Sequence, residues 1–139
     1  MNVNNLYVDV GGYVSADKLG YAAGRGPGGL GNGASYGGIG YSSGTRSYGS
    51  IYNPTDLGSG ANTANGGGVI RVTANNSVIN YGTISSNGGL GAFGCQAGSS
   101  GGSIFIDSNS VGGTGVIRAD GGNSNCYGSG GGWRIAVLF

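Results

Sequence analysis

Residues 82–89 read GTISSNGG, and residues 115–122 repeat them as GVIRADGG, with the same order of glycine, β-branched and polar positions. A second motif precedes each copy, as GVIRV at 68–72 and as GSIFI at 102–106. Repeats spaced by about 20 to 50 residues usually form units that stack, because one unit cannot bury its apolar face without a neighbour. The chain is therefore predicted to repeat one structural unit.

Diverged copies of this unit lie towards both ends of the chain. LYVDV at 6–10 and GYVSAD at 12–17 form one copy, and RIAVLF at 134–139 is a truncated one. The runs are short, β-branched and bounded by glycine, which is typical of strands rather than helices. The sequence predicts an all-β single domain over residues 1–139. Its predicted form is a short right-handed parallel β-solenoid, or β-helix-like fold, with long Gly-rich loops.

Alternation within the runs predicts which side chains face the core. Ile70 and Val72 share one face of their run, and Ile104 and Ile106 share the matching face of the next. Phe105 is predicted to point outward. Equivalent positions are 34 residues apart in the first run of each unit and 33 apart in the second. This difference predicts a one-residue bulge between the two runs.

Composition narrows the class of protein. The 139 residues include 36 glycines and 2 prolines, a content for which disorder is the alternative interpretation. The gathering of apolar residues into strand-length islands favours an ordered chain. The formal net charge of +1 predicts neither nucleic acid nor an anionic membrane as a partner. No apolar run approaches the roughly 18 residues of a membrane span, so membrane insertion is not predicted.

Residues 17–66 form a long insertion between the first and second units, and their path is the least predictable part of the chain. Glycine at this density permits close backbone approach. It also allows an extended, polyproline-II-like chain to lie beside the strands.

Two cysteines and one sequon are candidate modification sites. Cys95 and Cys126 each follow the Gly-Gly that ends a repeat, so stacked units would bring them together as a disulfide. Such a bond predicts a secreted, extracellular setting, whereas two reduced thiols are the alternative. Asn75 begins the sequence Asn-Asn-Ser, a possible glycosylation site in a eukaryotic secretory route.

Little in the sequence points to catalysis. Without His or Glu, the candidate general bases are five aspartates, and no catalytic residue, cofactor or metal is predicted. Asp17 and Asp120 occupy the position held by Asn87 in the intervening repeat, which predicts a polar stack at the turn. Paired acids for glycoside chemistry are the alternative interpretation. Residues 120–125 offer oxygen ligands for calcium but lack the acids of an EF-hand loop.

Aromatic residues suggest a binding surface. The candidates are Tyr36, Tyr41, Tyr48, Tyr52 and Trp133. Tyrosine among small polar residues makes an adaptable surface with a low ordering cost, which predicts a glycan- or receptor-binding face. The alternative is that the tyrosine rings pack over glycine backbone as the core of the insertion.

The order of motifs resembles a known family. YGGIG at 36–40, PTDLGSG at 54–60, GGGVIRV at 66–72 and GGGWRIAV at 130–137 resemble the Gly-rich β-solenoid module of large secreted or cell-surface adhesin-like proteins of bacteria and some protists. The resemblance covers nearly the whole chain. It implies an exported structural or adhesive protein that is multi-domain or polymeric, and it brings no established catalytic residues.

The first and last runs carry the functional hypothesis. Both are mainly apolar, with one charged residue each, and neither shows the proline or cap that natural proteins use to block an open strand edge. The predicted assembly residues are Leu6, Val8, Val10, Ile135, Val137 and Phe139. Stacking of the last run on the first run of another copy would give a homopolymeric filament. Adjoining domains of a larger surface protein covering both runs are the alternative.

Overall fold

A computed structural model describes residues 1–29, 32–41, 47–91, 96–124 and 127–139. The described residues contain no helix. The strands are β1 (Asn2–Val8), β2 (Tyr13–Ser15), β3 (Val69–Asn80), β4 (Thr83–Ser85), β5 (Ser103–Ser108), β6 (Val111–Gly112), β7 (Val116–Arg118) and β8 (Arg134–Leu138). Every pairing between these strands is parallel. The prediction of an all-β class is confirmed at this level.

The strands form two sheets in which the sequence repeats lie side by side. The first sheet has the order β1-β3-β5-β8, with β6 also paired to β3, and the second has the order β2-β4-β7. In the first sheet Ile70 pairs with Ile104, which pairs with Ile135. In the second sheet Ile84 lies between Val14 and Ile117. The repeat alignment therefore gives the strand register.

Stacked aliphatic side chains fill the space between the sheets. Ile84, Ile104 and Ile106 have no exposed surface, and Ile70 and Val72 are buried with them in one cluster. These residues are the ones that alternation predicts to face inward. Burying each isoleucine side chain stabilises the fold by about 1.5 to 3 kcal/mol.

β3 carries the predicted bulge. Ala74 pairs with Ser108 and Val78 pairs with Val111, so the spacing falls from 34 to 33 residues between these pairs. The pairing of β1 with β3 shifts at the same place. The extra residue therefore lies in β3 within residues 75–77. The bulge falls inside one strand, and not between two strands, because β3 is 12 residues long and continues past the first run.

Phe105, which is predicted to point outward, does not lie on the protein surface. Its side chain faces away from the aliphatic cluster, yet it is only 4% exposed. The guanidinium carbon of Arg71 lies 4.3 Å from its ring centroid, and Asn53 Oδ1 accepts a hydrogen bond from that guanidinium at 2.7 Å. On the same strand, Ser103 Oγ donates to the Asp56 carbonyl at 2.6 Å. The insertion therefore covers the outer face of the first sheet.

The remaining Gly-rich segments form a second packed region, which we call the glycine bundle. It comprises residues 20–29, 33–38, 57–68, 86–91, 97–102, 119–122 and 128–132. Residues 98–102 form the central segment of this bundle. Their successive N–H groups donate to three neighbouring segments in turn, so every third N–H donates to the same segment. Gly98 and Gly101 donate to Gly128 and Gly131, Ser99 and Gly102 donate to Gly89 and Ser86, and Ser100 donates to Ser59. A period of three without internal hydrogen bonds is the geometry of an extended polyproline-II helix.

Glycine is required in this bundle by the closeness of neighbouring backbones. A Cβ added to Gly98 would lie 1.9 Å from the carbonyl oxygen of Gly122, and one added to Gly130 would lie 1.9 Å from that of Ser99. The buried side chains inside include the small ones of Ala34, Ala61 and Ala97 and the larger ring of Tyr36. The interior of the bundle is therefore mainly hydrogen-bonded backbone.

Candidate functional site

The two outer strands of the first sheet, β1 and β8, each have a free edge among the described strands. Four of the predicted assembly residues belong to the aliphatic core or pack against it. They are Val8, which is buried, and the partly buried Leu6, Ile135 and Val137. Val10 and Phe139 lie outside the strands and are 80% and 87% exposed. The strand edges therefore bring apolar side chains to both ends of the sheet.

β3 extends past its pairing with β1 at one end of the first sheet. β3 begins at Val69, but β1 pairs with it only from the Asn2–Thr73 pair onward. On the β1 side, residues 69–72 pair with no described strand. Met1 lies beside them, where its ammonium donates to the Arg71 carbonyl at 2.7 Å and its carbonyl accepts a hydrogen bond from the Thr73 N–H at 2.9 Å. An open cleft of about 460 Å³ occupies this position, and its lining includes Val14, Leu19 and Ile70. The cleft gives access to the end of the aliphatic core.

A stack of polar side chains follows the second sheet, as the repeat alignment predicts. The backbone N–H of Asn87 donates to Asp17 Oδ1 at 2.6 Å, and Asn87 Nδ2 donates to Asp17 Oδ2 at 3.3 Å. The N–H of Asp120 in turn donates to Asn87 Oδ1 at 2.8 Å. The stack ties three successive repeats together at the turn. It is a structural arrangement in which the two carboxylates are separated by an amide.

Of the five candidate aromatic residues, Tyr36 is fully buried and Tyr48 is partly buried. Tyr36 has no exposed surface, and its hydroxyl hydrogen-bonds to Ser103 Oγ at 2.5 Å. Its ring centroid lies 4.7 Å from that of Tyr48, whose hydroxyl donates to the Leu57 carbonyl at 2.7 Å. Burial raises the pKa of both phenols above the ordinary value, because the charged phenolate is poorly solvated there. Tyr36 therefore packs inside the insertion and offers no surface to a ligand, whereas Tyr48 is partly buried against it.

The other three candidates are exposed. Tyr41, Tyr52 and Trp133 are 65%, 81% and 49% exposed. Tyr41 packs on the backbone of Gly128, where an added Cβ would lie 1.7 Å from the tyrosine Cβ. Tyr127, which is 49% exposed, precedes that glycine and was not among the predicted residues. The contact between Gly128 and Tyr41 depends on the fold of the bundle, so no local sequence pattern indicates it.

Three further predictions concern modification. Cys95 and Cys126 lie outside the described residues. Asn75 is exposed, and its Nδ2 donates to Asn4 Oδ1 at 2.9 Å. Its backbone carbonyl accepts a hydrogen bond from Asn109 Nδ2 at 2.6 Å. The sequon therefore lies in a row of asparagines at the bulge of β3, on the protein surface.

Metal sites and membrane spans are two further possibilities for the described residues. Among them, no group of three cysteine or aspartate side chains is placed to hold a metal ion. Within the same residues, no helix is long and apolar enough to span a bilayer.

No family model, curated protein or solved structure matches the chain. Function is therefore inferred from the surfaces of the molecule, and the free strand edges and the exposed aromatic residues are the two candidates.

Proposed function

We propose that this chain is a right-handed β-solenoid module of the Gly-rich kind that it resembles, a single domain over residues 1–139. We further propose that it is a non-enzymatic structural protein of the cell surface or extracellular space. Copies stack head to tail into a fibre, with β8 of one copy against β1 of the next. The observation that supports this most strongly is the pair of free, apolar edges at opposite ends of one parallel sheet.

Strand chemistry supports stacking at these edges. A free edge presents unpaired N–H and C=O groups that template pairing with another chain, and natural proteins normally block such edges. β8 carries one charged residue, Arg134, and β1 carries none. The Arg134 Nε donates to the Tyr48 carbonyl at 3.1 Å, so this charge is turned towards the insertion. Two different edges of one chain make a heterologous contact, which propagates into an open filament.

An extracellular setting is part of the proposal. It is supported by the position of Cys95 and Cys126 after equivalent Gly-Gly pairs in the sequence, which suits a disulfide between neighbouring repeats. Mass mapping of the protein purified without reductant tests this, with a linked 95–126 peptide as the expected product. Two alkylatable thiols in protein isolated from its native location would contradict it.

Sedimentation velocity at rising concentration tests the stacking. The wild-type chain is expected to form species that grow with concentration. Ile135→Lys should remain monomeric, because a lysine on β8 would have to be buried at the contact. Ile39→Lys is the matched control, since Ile39 is 70% exposed away from the strands, and it should assemble like the wild type. A monomeric wild type at all concentrations would contradict the proposal and favour adjoining domains as the partners of both edges.

A second candidate function is supported by the exposed aromatic residues. Tyr41, Tyr52 and Trp133 suit a glycan or a cell-surface receptor, as in the tip domain of a bacterial or phage fibre. A glycan array probed with wild type and with Tyr41→Ala tests this function. Retained sugar binding that is lost in the variant would support it. Equal signals from both proteins would contradict it.

A further inference from the structure

We infer that Tyr7 and Tyr81 form an oxidative modification site, at which a one-electron oxidant couples the two phenol rings into a dityrosine within one chain. We call these two residues the tyrosine pair. The cross-link ties β1, an outer strand of the first sheet, to the end of β3. This inference does not depend on the proposed stacking of copies.

Strand register brings the tyrosine pair together. Tyr7 pairs with Ile79, so Tyr81 is its diagonal neighbour on the adjacent chain segment. The N–H of Tyr81 donates to the Val8 carbonyl at 2.7 Å, which holds the two backbones side by side at this point. The ring centroids lie 5.8 Å apart, and the ring planes are tilted by 57°. This separation is within the range of about 4.5 to 7 Å that is typical of aromatic pairs in contact.

Both rings lie on the outer face of the first sheet. The residues next to them along the chain, Val8 and Asn80, are buried, so alternation turns the two tyrosines outward. Tyr7 is 62% exposed and Tyr81 is 40% exposed. An oxidant in solution therefore has access to both phenols.

A second pair of tyrosines in contact provides a comparison within the same molecule. The rings of Tyr36 and Tyr48 are closer, with centroids 4.7 Å apart. Tyr36 has no exposed surface, and the hydroxyls of both residues are hydrogen-bonded, to Ser103 and to the Leu57 carbonyl. Burial raises the pKa of both phenols, which disfavours loss of their protons. Within the described residues, the Tyr7–Tyr81 pair therefore combines ring contact with the access that the Tyr36–Tyr48 pair lacks.

The coupling reaction balances with hydrogen peroxide as the oxidant and a haem peroxidase as the catalyst. Each phenol loses one electron and its hydroxyl proton, which gives two tyrosyl radicals, and the peroxide is reduced to two molecules of water. The radicals join through one new carbon–carbon bond between ring carbons ortho to the hydroxyls. The C–H bonds at those two carbons then break, and their protons return to the two phenol oxygens. The chain loses two hydrogen atoms in total.

Side-chain rotation allows the two ring carbons to meet. Exposed side chains change rotamer within picoseconds to nanoseconds, whereas the backbones of the tyrosine pair are held by strand pairing. Because the rings are tethered side by side, the effective concentration of one around the other is far above that of tyrosines on separate molecules. Coupling within one chain is therefore favoured in dilute protein.

The cross-link acts on a strand that is held from one side. Among the described strands, β1 pairs with β3 alone. A covalent bond between residues 7 and 81 closes a long loop and lowers the entropy of the unfolded chain, as a disulfide does. Side chains stand roughly perpendicular to a sheet, so this bond leaves the N–H and C=O groups at the edge of β1 free. The cross-link is therefore compatible with another copy binding at that edge.

Peptide mapping after peroxidase treatment of the dilute wild-type protein tests the site. The expected product is a pair of peptides linked through Tyr7 and Tyr81, lighter than the separate peptides by two hydrogen atoms and showing the blue fluorescence of dityrosine. Tyr81→Phe should abolish this product. Tyr13→Phe is the matched control, because it removes a phenol that is 74% exposed outside the pair, and it should leave the product unchanged.

Three results of this mapping would overturn the site. They are the absence of dityrosine in the treated wild type, dityrosine that joins separate molecules in place of the 7–81 link, and a 7–81 link formed no faster than a link between Tyr36 and Tyr48. The last result would show that access to solvent does not select the pair.

Thermal unfolding measures the effect of the cross-link on the fold. The cross-linked wild type should melt about 5 to 15 °C above the untreated protein, because a long loop has been closed. Tyr81→Phe treated in the same way should show no increase, which separates the cross-link from other oxidative changes. An unchanged melting temperature in protein shown to carry the 7–81 link would overturn the stabilising role.

Discussion

The two sheets and the glycine bundle bury their interiors by opposite means. Between the sheets, isoleucine and valine side chains fill the space, and Ile84 and Ile104 have no exposed surface. In the bundle the backbones themselves touch, and a Cβ on Gly98 would lie 1.9 Å from a neighbouring carbonyl oxygen. Removing atoms should therefore destabilise the first region, and adding atoms should destabilise the second. Truncations are therefore expected to be more harmful between the sheets, and added side-chain atoms more harmful in the bundle.

Ile104→Ala is expected to give the largest effect. Truncation of this fully buried side chain leaves a cavity in the aliphatic cluster and should lower the free energy of unfolding by about 2 to 5 kcal/mol. Urea unfolding measures it, with Ile104→Val as the milder companion at about 0.5 to 1.5 kcal/mol. Equal effects from both variants would show that the cluster is not close-packed.

In the glycine bundle, Gly98→Ala should destabilise the protein by adding atoms rather than by removing them. The added methyl group forces neighbouring backbones apart and should cost about 1 to 3 kcal/mol of stability. Gly132→Ala is the matched control, because an added Cβ there meets nothing within 4 Å. Thermal unfolding of the two variants side by side gives the comparison. Equal melting temperatures would break the distinction drawn between the regions.

The strand register was predictable from sequence, but the packing of the insertion on the outer face of the first sheet was not. Alternation of β-branched residues places Ile70 beside Ile104 without any tertiary information. Phe105 is instead covered by Arg71, which bonds to Asn53 of the insertion, and buried Tyr36 bonds to Ser103, 67 residues away in sequence. A glycine-rich insertion has no side-chain period from which such contacts are read.

Tyr48→Phe should have a smaller effect at the boundary of the two regions. It removes the hydroxyl that bonds the Leu57 carbonyl and Ser59 Oγ, each at 2.7 Å. Loss of these hydrogen bonds should cost about 1 kcal/mol, measured by urea unfolding. Tyr52→Phe, in an 81% exposed side chain, is the control and should leave stability unchanged. Equal losses in both variants would argue against a buried role for Tyr48.

Raising the pH should have the smallest and most gradual effect on the free energy of unfolding. The pKa values of Tyr36 and Tyr48 are raised by burial, so folding disfavours their ionisation. Their contribution to stability is fully present below about pH 10, the pKa of an unfolded tyrosine, and is lost as pH rises through the raised values. Absorbance titration should show two tyrosines ionising after the others. Ionisation of all nine in one step would contradict the burial of this pair.

Electron microscopy of the concentrated wild-type protein tests the central claim most directly. Head-to-tail stacking predicts filaments whose subunit repeat along the axis is a whole number of strand spacings of about 4.8 Å. The same filaments should be absent from Ile135→Lys and present in Ile39→Lys. Dispersed single particles of the wild type at every concentration would contradict stacking as the function of the two free edges.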